Sequence, residues 1–311
     1  METVLITGGT GLIGSTLSKT LTAKGYRVII LSRSIPDTAA SAAAANLSYA
    51  RWDIKNQQID IEAIQAADYI IHLAGAGVMD KKWTNEYKKE IISSRADSAR
   101  LIVDSLIKHP NKVKAIISAS AIGWYSATNA IHTEEETADD SFLGQTTKLW
   151  EDSMKTILQM DKRLVKLRIG IVLSKDGGAL KEFMQPLKFG IAAILGNGKQ
   201  MISWIHIDDL CRMFVFAIEH TGIQGVYNAV APNPVNNKTL TISLAKKMRP
   251  RFYLRVPVPE FVLKIMLGGR SIEILKSNTV SCKKIQDSGF TFQFDNIESA
   301  LENIVSIKDR P

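Results

Sequence analysis

Residues 4–14 read VLITGGTGLIG, and their glycines carry the first chemistry legible in the chain. Gly8, Gly11 and Gly14 form GxxGxxG, while Gly9, Gly11 and Gly14 also satisfy GxGxxG. Glycines at this spacing let a backbone turn tightly and approach a diphosphate, whose charge then rests at a helix N-terminus. Glycine turns are common, so the context decides. Here an apolar run precedes the turn, and Ile13, Leu17 and Leu21 begin a helical period after it. The expected cofactor contacts are Gly8, Thr10, Gly11, Leu12, Ile13 and Gly14. The next candidate strand ends in Leu31-Ser32-Arg33. A carboxylate at that place would take the ribose hydroxyls of NAD. Arg33 pairs instead with a 2′-phosphate and Ser32 adds a hydroxyl, so the expected cofactor is NADP; the alternative is a solvated arginine.

Other side chains fall at the same sheet edge. Trp52-Asp53 closes a third strand, where Asp53 either accepts from an adenine amino group or serves a turn. Leu73, Ala74 and Gly75 follow His72 and permit close approach of a cofactor, while His72 itself reads as a core histidine. Lys82 is a candidate for the 2′-phosphate or a substrate phosphate, with solvated surface as its alternative. Arg95 follows on the next helix and points toward the same cleft, and Arg168 reads as structural or pocket-lining. Tyr125 leaves the fifth strand at the ligand edge beside Trp124, as a proton donor or as half of an aromatic pair packing a lobe interface. No metal is expected: His206, Asp208 and Asp209 lack further ligands at sensible spacing, and Asp208 reads as a helix cap. Cys211 and Cys282 read as buried thiols.

These residues need strands to carry them. Short β-branched runs at 4–7, 27–31, 47–52, 69–73, 115–118 and 164–169 alternate with helical stretches, the pattern of a parallel sheet covered on both faces. A helix is expected over 84–108, with Ile92, Ala96, Ala99, Val103 and Leu106 on one face and Pro110 after its end. The alanine-rich segment at 38–46 carries no chemistry. After about residue 174 longer helical segments dominate, with isolated strands at 226–229 and 290–294. The expected fold is α/β, a Rossmann-type doubly wound parallel sheet with a smaller, mostly helical C-terminal lobe. Its expected division is 1–174 and 175–311, with some exchange of elements between lobes.

The 311 residues are 45% hydrophobic and 23% charged, with a net charge of +8. The lysines are spread along the chain, so a phosphate-bearing small molecule is expected and nucleic acid is not. No apolar run reaches the length of a membrane span, so a cytoplasmic protein without a membrane partner is expected. A homodimer through the exposed face of the 84–108 helix is compatible with the pattern.

The segments TGGTGLIG, WDI, HLAG and SASAIGWY together resemble the extended short-chain dehydrogenases/reductases, which include the sugar-nucleotide epimerases. LRIGIVLS at 167–174, SWIHIDDL at 203–210 and GVYNAVAPNPVNNK at 225–238 are similar to an atypical subgroup labelled "epimerase family protein", some of whose bacterial members carry a cell-division-inhibitor label. The resemblance covers essentially the whole chain. It implies an NADP-binding Rossmann-type domain, a small substrate lobe and a cleft between them. It also implies a Ser–Tyr–Lys set, in which the tyrosine moves a proton at the substrate oxygen while hydride passes to or from nicotinamide. Ser120 stands in the place of the serine. In FLGQTTKLWE, residues 142–151, Lys148 stands in the place of the lysine or on the solvated side of its helix, and Gly144 replaces the tyrosine. A positioned acid contributes roughly 10²–10⁴-fold in rate, and Tyr125 is the available substitute. The resemblance implies an NADP-binding oxidoreductase or epimerase-like protein acting on a small polar substrate, with nucleotide sugars among the candidates. The alternative is an NADPH-binding sensor or scaffold without ordinary turnover.

Overall fold

A computed structural model describes residues 1–35 and 46–305. The alanine-rich segment lies outside the described residues except for Asn46. Eight strands form the main sheet: β1 Thr3–Thr7, β2 Arg27–Ser32, β3 Leu47–Asp53, β4 Gln58–Ile59, β5 Tyr69–His72, β6 Ala115–Ala121, β7 Arg163–Ile169 and β8 Gly225–Ala229. Their spatial order is β8-β7-β6-β5-β1-β2-β3-β4. Every neighbouring pair is parallel except β3 with β4. The order reverses between β1 and β5, the switch point beyond whose carboxyl ends ligands bind in doubly wound sheets.

The local sequence explains these strands. β1 is buried along its whole length, as a strand with helices on both faces must be. Helix α1, Leu12–Ala23, turns Leu17 and Leu21 into the core. After the short helix α2, Ile61–Ala66, comes the long helix α3, Asn85–Lys108. Thr84 caps it by accepting from the Tyr87 amide, and Ala96, Ala99, Val103 and Leu106 are buried as their spacing predicts. Ile92 is only half-buried, and its neighbour Ile91 takes the core position. Helix α4, Phe142–Asp152, precedes β7.

The smaller lobe contains helices α5, Ala179–Leu187, α7, Asn237–Met248, and α8, Glu260–Leu267. Its core gathers Leu173, Trp204, Leu240, Leu244, Phe294 and Leu301, separate from the core under the main sheet. Helix α6, Ile207–Glu219, belongs to the main core instead, and β8 adds the outermost strand beyond β7.

Two expectations need correction. Residues 290–294 form no strand; the Gln293 and Phe294 amides donate to the buried Asp209 carboxylate at 2.9 and 2.8 Å, which ties the segment to α6. The cap of α6 is His206, whose Nδ1 accepts from the Asp208 amide at 3.1 Å. An imidazole nitrogen does there what the sequence assigned to a carboxylate. Both cysteines are free and buried, and burial pushes the Cys211 thiol up to about 12 and the Cys282 thiol up to about 11.

Candidate active site and cofactor cleft

Gly8 and Gly14 of the glycine loop have no room for side chains. Gly8 adopts φ +68°, and a Cβ there would lie 2.9 Å from the Leu73 carbonyl carbon. A Cβ on Gly14 would meet the Gly8 oxygen at 2.3 Å, so the first turn of α1 rests directly on the loop. Gly11 caps α1 without a side-chain bond, and no acidic residue occupies the first turn. Among the described residues, the Leu12 and Ile13 amides have no protein acceptor. Such a backbone cradle, with positive helix-end potential and no competing carboxylate, fits a diphosphate. Thr10 is exposed at the loop tip.

At the end of β2, Ser32 is half-buried and Arg33 is exposed. Trp52 is buried, and both Asp53 oxygens accept from Asn56, at 3.1 and 2.7 Å. These bonds hold the Asp53 carboxyl below its usual range and close a turn. Lys82 is exposed. Past β5, the Leu73 and Ala74 amides both donate to Thr7 Oγ1, fixing the floor between β1 and β5. Gly75 is exposed, and a Cβ on it would lie 3.0 Å from Arg95 Cζ. The Arg95 guanidinium is therefore seated against the Gly75 backbone, with Cζ 5.1 Å from the Trp150 ring. It donates to the Ile91 carbonyl at 2.9 Å and has no carboxylate partner among the described residues. Burial lowers its pKa to about 10, so it stays charged at neutral pH.

His72 proves structural. It is fully buried, with Nδ1 2.8 Å from Thr7 Oγ1 and Nε2 3.3 Å from Ser98 Oγ. Burial lowers its pKa from 6.5 to about 3. The unfolded chain therefore takes up a proton that the folded chain refuses, and stability present above pH 6.5 is lost as pH falls toward 3. At about pH 5 the expected loss is ~2 kcal/mol, from roughly 1.4 kcal/mol per pKa unit. Urea midpoints measured at neutral and acid pH check this, and His72→Gln should flatten the dependence. An unchanged pH slope in that variant would place the acid sensitivity elsewhere.

The second half of the cleft is built on three adjacent strands. Ser120 on β6 stands opposite Arg168 on β7, and Arg168 stands opposite Asn228 on β8. Helix α4 lays Glu151 across them. Ser120 Oγ donates to Glu151 Oε1 at 2.6 Å. Arg168 Nε donates to the same oxygen at 2.8 Å and Nη2 to the other at 3.3 Å, while Lys166 Nζ lies 3.6 Å from Glu151 Oε2. Arg168 Nη1 also reaches the Tyr125 hydroxyl at 3.0 Å, and that hydroxyl donates to Asn228 Oδ1 at 2.6 Å. The guanidinium lies 3.7 Å from the centre of the Trp124 ring, completing a buried stack.

Ser120 and Tyr125 thus meet in one network through Arg168. Tyr125 is fully buried, and burial pushes its phenol up to about 12. Lys148 stands apart: it is half-exposed and pairs with Asp152 at 2.7 Å. Gly144 faces the loop before α4, where a Cβ would lie 2.1 Å from the Asp139 carbonyl oxygen. Backbone therefore fills the space that a side chain at 144 would enter. Glu151 has no role in the sequence reading, yet Gly144, Thr147 and Glu151 follow helical spacing and are all buried. That face of α4 was the available signal.

Residues 4–149 match the NAD dependent epimerase/dehydratase family, and residues 258–304 match a domain of unknown function, DUF1731. Epimerase family protein YfhF of Bacillus subtilis is 35% identical over 306 residues, covering 97% of this chain and 98% of its own. The chain belongs to the epimerase family. It is an extended short-chain dehydrogenase/reductase by sequence and by fold. Another family member, from Staphylococcus haemolyticus, is 33% identical across 98% of this chain and 99% of its own. A human epimerase family protein solved with NADPH superposes with a TM-score of 0.83 at 25% identity, covering 97% and 98% of the two chains. A nucleoside-diphosphate sugar epimerase from Corynebacterium glutamicum gives 0.76 at 27% identity, over 97% of this chain and 58% of that one.

Proposed function

We propose that this family member binds NADP and acts as an epimerase-like oxidoreductase on a small anionic substrate, within which class nucleotide sugars fall. The observation that carries this reading is a pair of arginines beside a glycine cradle. Arg33 directly follows β2, where a 2′-phosphate would lie, and Arg95 stands without a carboxylate against Gly75. A desolvated cation with no counter-ion is costly, and a phosphate or carboxylate on a ligand relieves that cost. Gly8, Gly11, Gly14 and the α1 amides would hold the diphosphate, while Leu73, Ala74 and Gly75 would flank the cofactor. Bound nicotinamide supplies or accepts hydride.

The chain's own residues then handle the proton. Ser120 gives its hydrogen to Glu151, so its lone pairs remain free to accept a proton from a substrate hydroxyl while its own passes to the carboxylate. Ser120 and Glu151 would together replace the missing tyrosine, with Tyr125 orienting Arg168. Lys148, paired at the surface, takes no part in this reading.

Fluorescence titration with NADPH and NADH at one fixed salt concentration is the test. We expect tighter NADPH binding, with the preference reversed in Arg33→Asp, and cofactor affinity little changed in Arg95→Gln. Binding of neither cofactor would remove the reading. The second reading is an NADPH sensor without ordinary turnover. It is favoured by the Tyr125 hydroxyl being spent on Asn228 and by the backbone filling the space at Gly144. Turnover that Ser120→Ala abolishes separates the two.

A further inference from the structure

The smaller lobe presents an open sheet. Strand Ile191–Leu195 pairs in parallel with Leu254–Val258, placing Ile191 beside Leu254 and Ala193 beside Val256. Side chains alternate across a strand, so these four share one face. Ala192, on the other face, is fully buried in the lobe's core. The first face has no cover: Ile191 is 36% exposed, Leu254 56% and Val256 38%. Just before the two strands, the Leu254 amide donates to the Gly190 carbonyl at 2.8 Å, and the residues leading into this junction, Phe189 and Phe252, are 82% and 69% exposed. Just beyond the strand, α8 leaves Phe261 and Ile265 on one side, 65% and 80% exposed.

Aromatic and aliphatic side chains this exposed, and this close together, mark an interaction surface. The charge around them indicates its partner. Between residues 245 and 270 seven basic residues stand against one acidic residue, Glu260. Lys188 and Arg251 directly precede the two phenylalanines and Lys264 follows on α8, while Arg255, level with Ala192, projects from the strand's other face. All four are exposed and none is ion-paired among the described residues. A second copy laid on the same face by a twofold axis would set these cations against themselves. An anionic bilayer accommodates both features. Each lysine or arginine near its surface gains about 1 kcal/mol, while apolar side chains enter the boundary between headgroups and acyl chains.

We propose that the face carrying Phe189, Leu254, Phe252 and Phe261 docks the smaller lobe onto an anionic phospholipid surface. Docking is peripheral, since among the described residues no helix is long and apolar enough to cross a membrane. The absence of a span-length apolar run, on which the expectation of no membrane partner rests, has no bearing on peripheral docking. This surface emerges only when two distant segments pair. The inference does not depend on the cofactor or the substrate.

The test is cosedimentation of the full chain with vesicles of phosphatidylcholine alone and of phosphatidylcholine with phosphatidylglycerol. Binding is expected only to the anionic vesicles and should fall as salt is raised. Two double variants, Phe189→Ser/Phe252→Ser and Lys188→Gln/Arg251→Gln, should each weaken it by about tenfold or more. These side chains are exposed, so thermal melting should be unchanged. If the phenylalanine pair alters melting, the lysine–arginine pair and the salt series still decide. Absence of vesicle binding overturns the proposal, as does binding that both double variants leave intact. A dimer in sedimentation equilibrium that the phenylalanine pair dissociates would assign the face to a second copy. Capture of polyglutamate, lost in both variants while vesicles are ignored, would assign it to an acidic protein.

Discussion

Placing a tyrosine at position 144 is expected to damage the fold instead of restoring an acid. Any Cβ at that position lies 2.1 Å from the Asp139 carbonyl oxygen and 2.8 Å from its carbon, and backbone cannot yield as a side-chain tip can. To admit it, the loop must give up the bond from the Asp139 amide to the Trp124 carbonyl at 2.7 Å and the Ser141 cap on the Gly144 amide. Even Gly144→Ala should lose about 2 kcal/mol by overpacking. The sign makes this a sharp test, because glycine to alanine within a helix ordinarily gains about 1 kcal/mol. Thermal melting of the alanine variant decides: a higher midpoint would show that the loop moves aside and that the missing tyrosine is a simple substitution.

Arg168 should be the most costly side chain to lose. Its guanidinium bonds Glu151, Tyr125 and the Glu134 carbonyl and covers Trp124, all within the buried edge of the sheet. Removing one partner of a buried ion pair costs about 3–5 kcal/mol, because the other charge stays behind desolvated. Arg168→Met should lose that much in urea unfolding, and Glu151→Leu a similar amount. The double variant should lose clearly less than the two combined, since neither charge is then stranded. Additive losses would mean that the two side chains act independently, and the network described here would not be a unit.

Much of the architecture was legible because its signals are local. The glycine loop, the apolar β1 and the spacing of α3 each declare themselves within a dozen or so residues. The second half of the cleft did not, because its logic is a row of residues brought level by three strands distant in sequence. Ser120, Arg168 and Asn228 become neighbours only through strand register, and Glu151 joins them from a helix whose visible oddity was Gly144. Lys148 was conspicuous by its spacing from that glycine, yet the neighbouring turn of the same helix holds Asp152, which captures it at the surface. The cap of α6 was expected at Asp208, the usual residue type, and the fold places it two residues earlier on His206. Residues 290–294 alternate phenylalanine with polar residues as a strand would, but their amides are taken by Asp209 before any strand partner is available.

The outermost strand of the main sheet has a consequence for biosynthesis. β7 ends at Ile169, and its neighbour β8 begins only at Gly225, with α5 and Trp204 of the smaller lobe encoded between them. A chain emerging from the ribosome therefore carries an unfinished Rossmann-type half, still without α6 and with an open edge on its last strand. Such edges recruit other strands until they are paired. The two lobes are accordingly not a tandem that matures one after the other. The first is completed by residues that arrive after the second has begun, an exchange of elements across the division expected near residue 174.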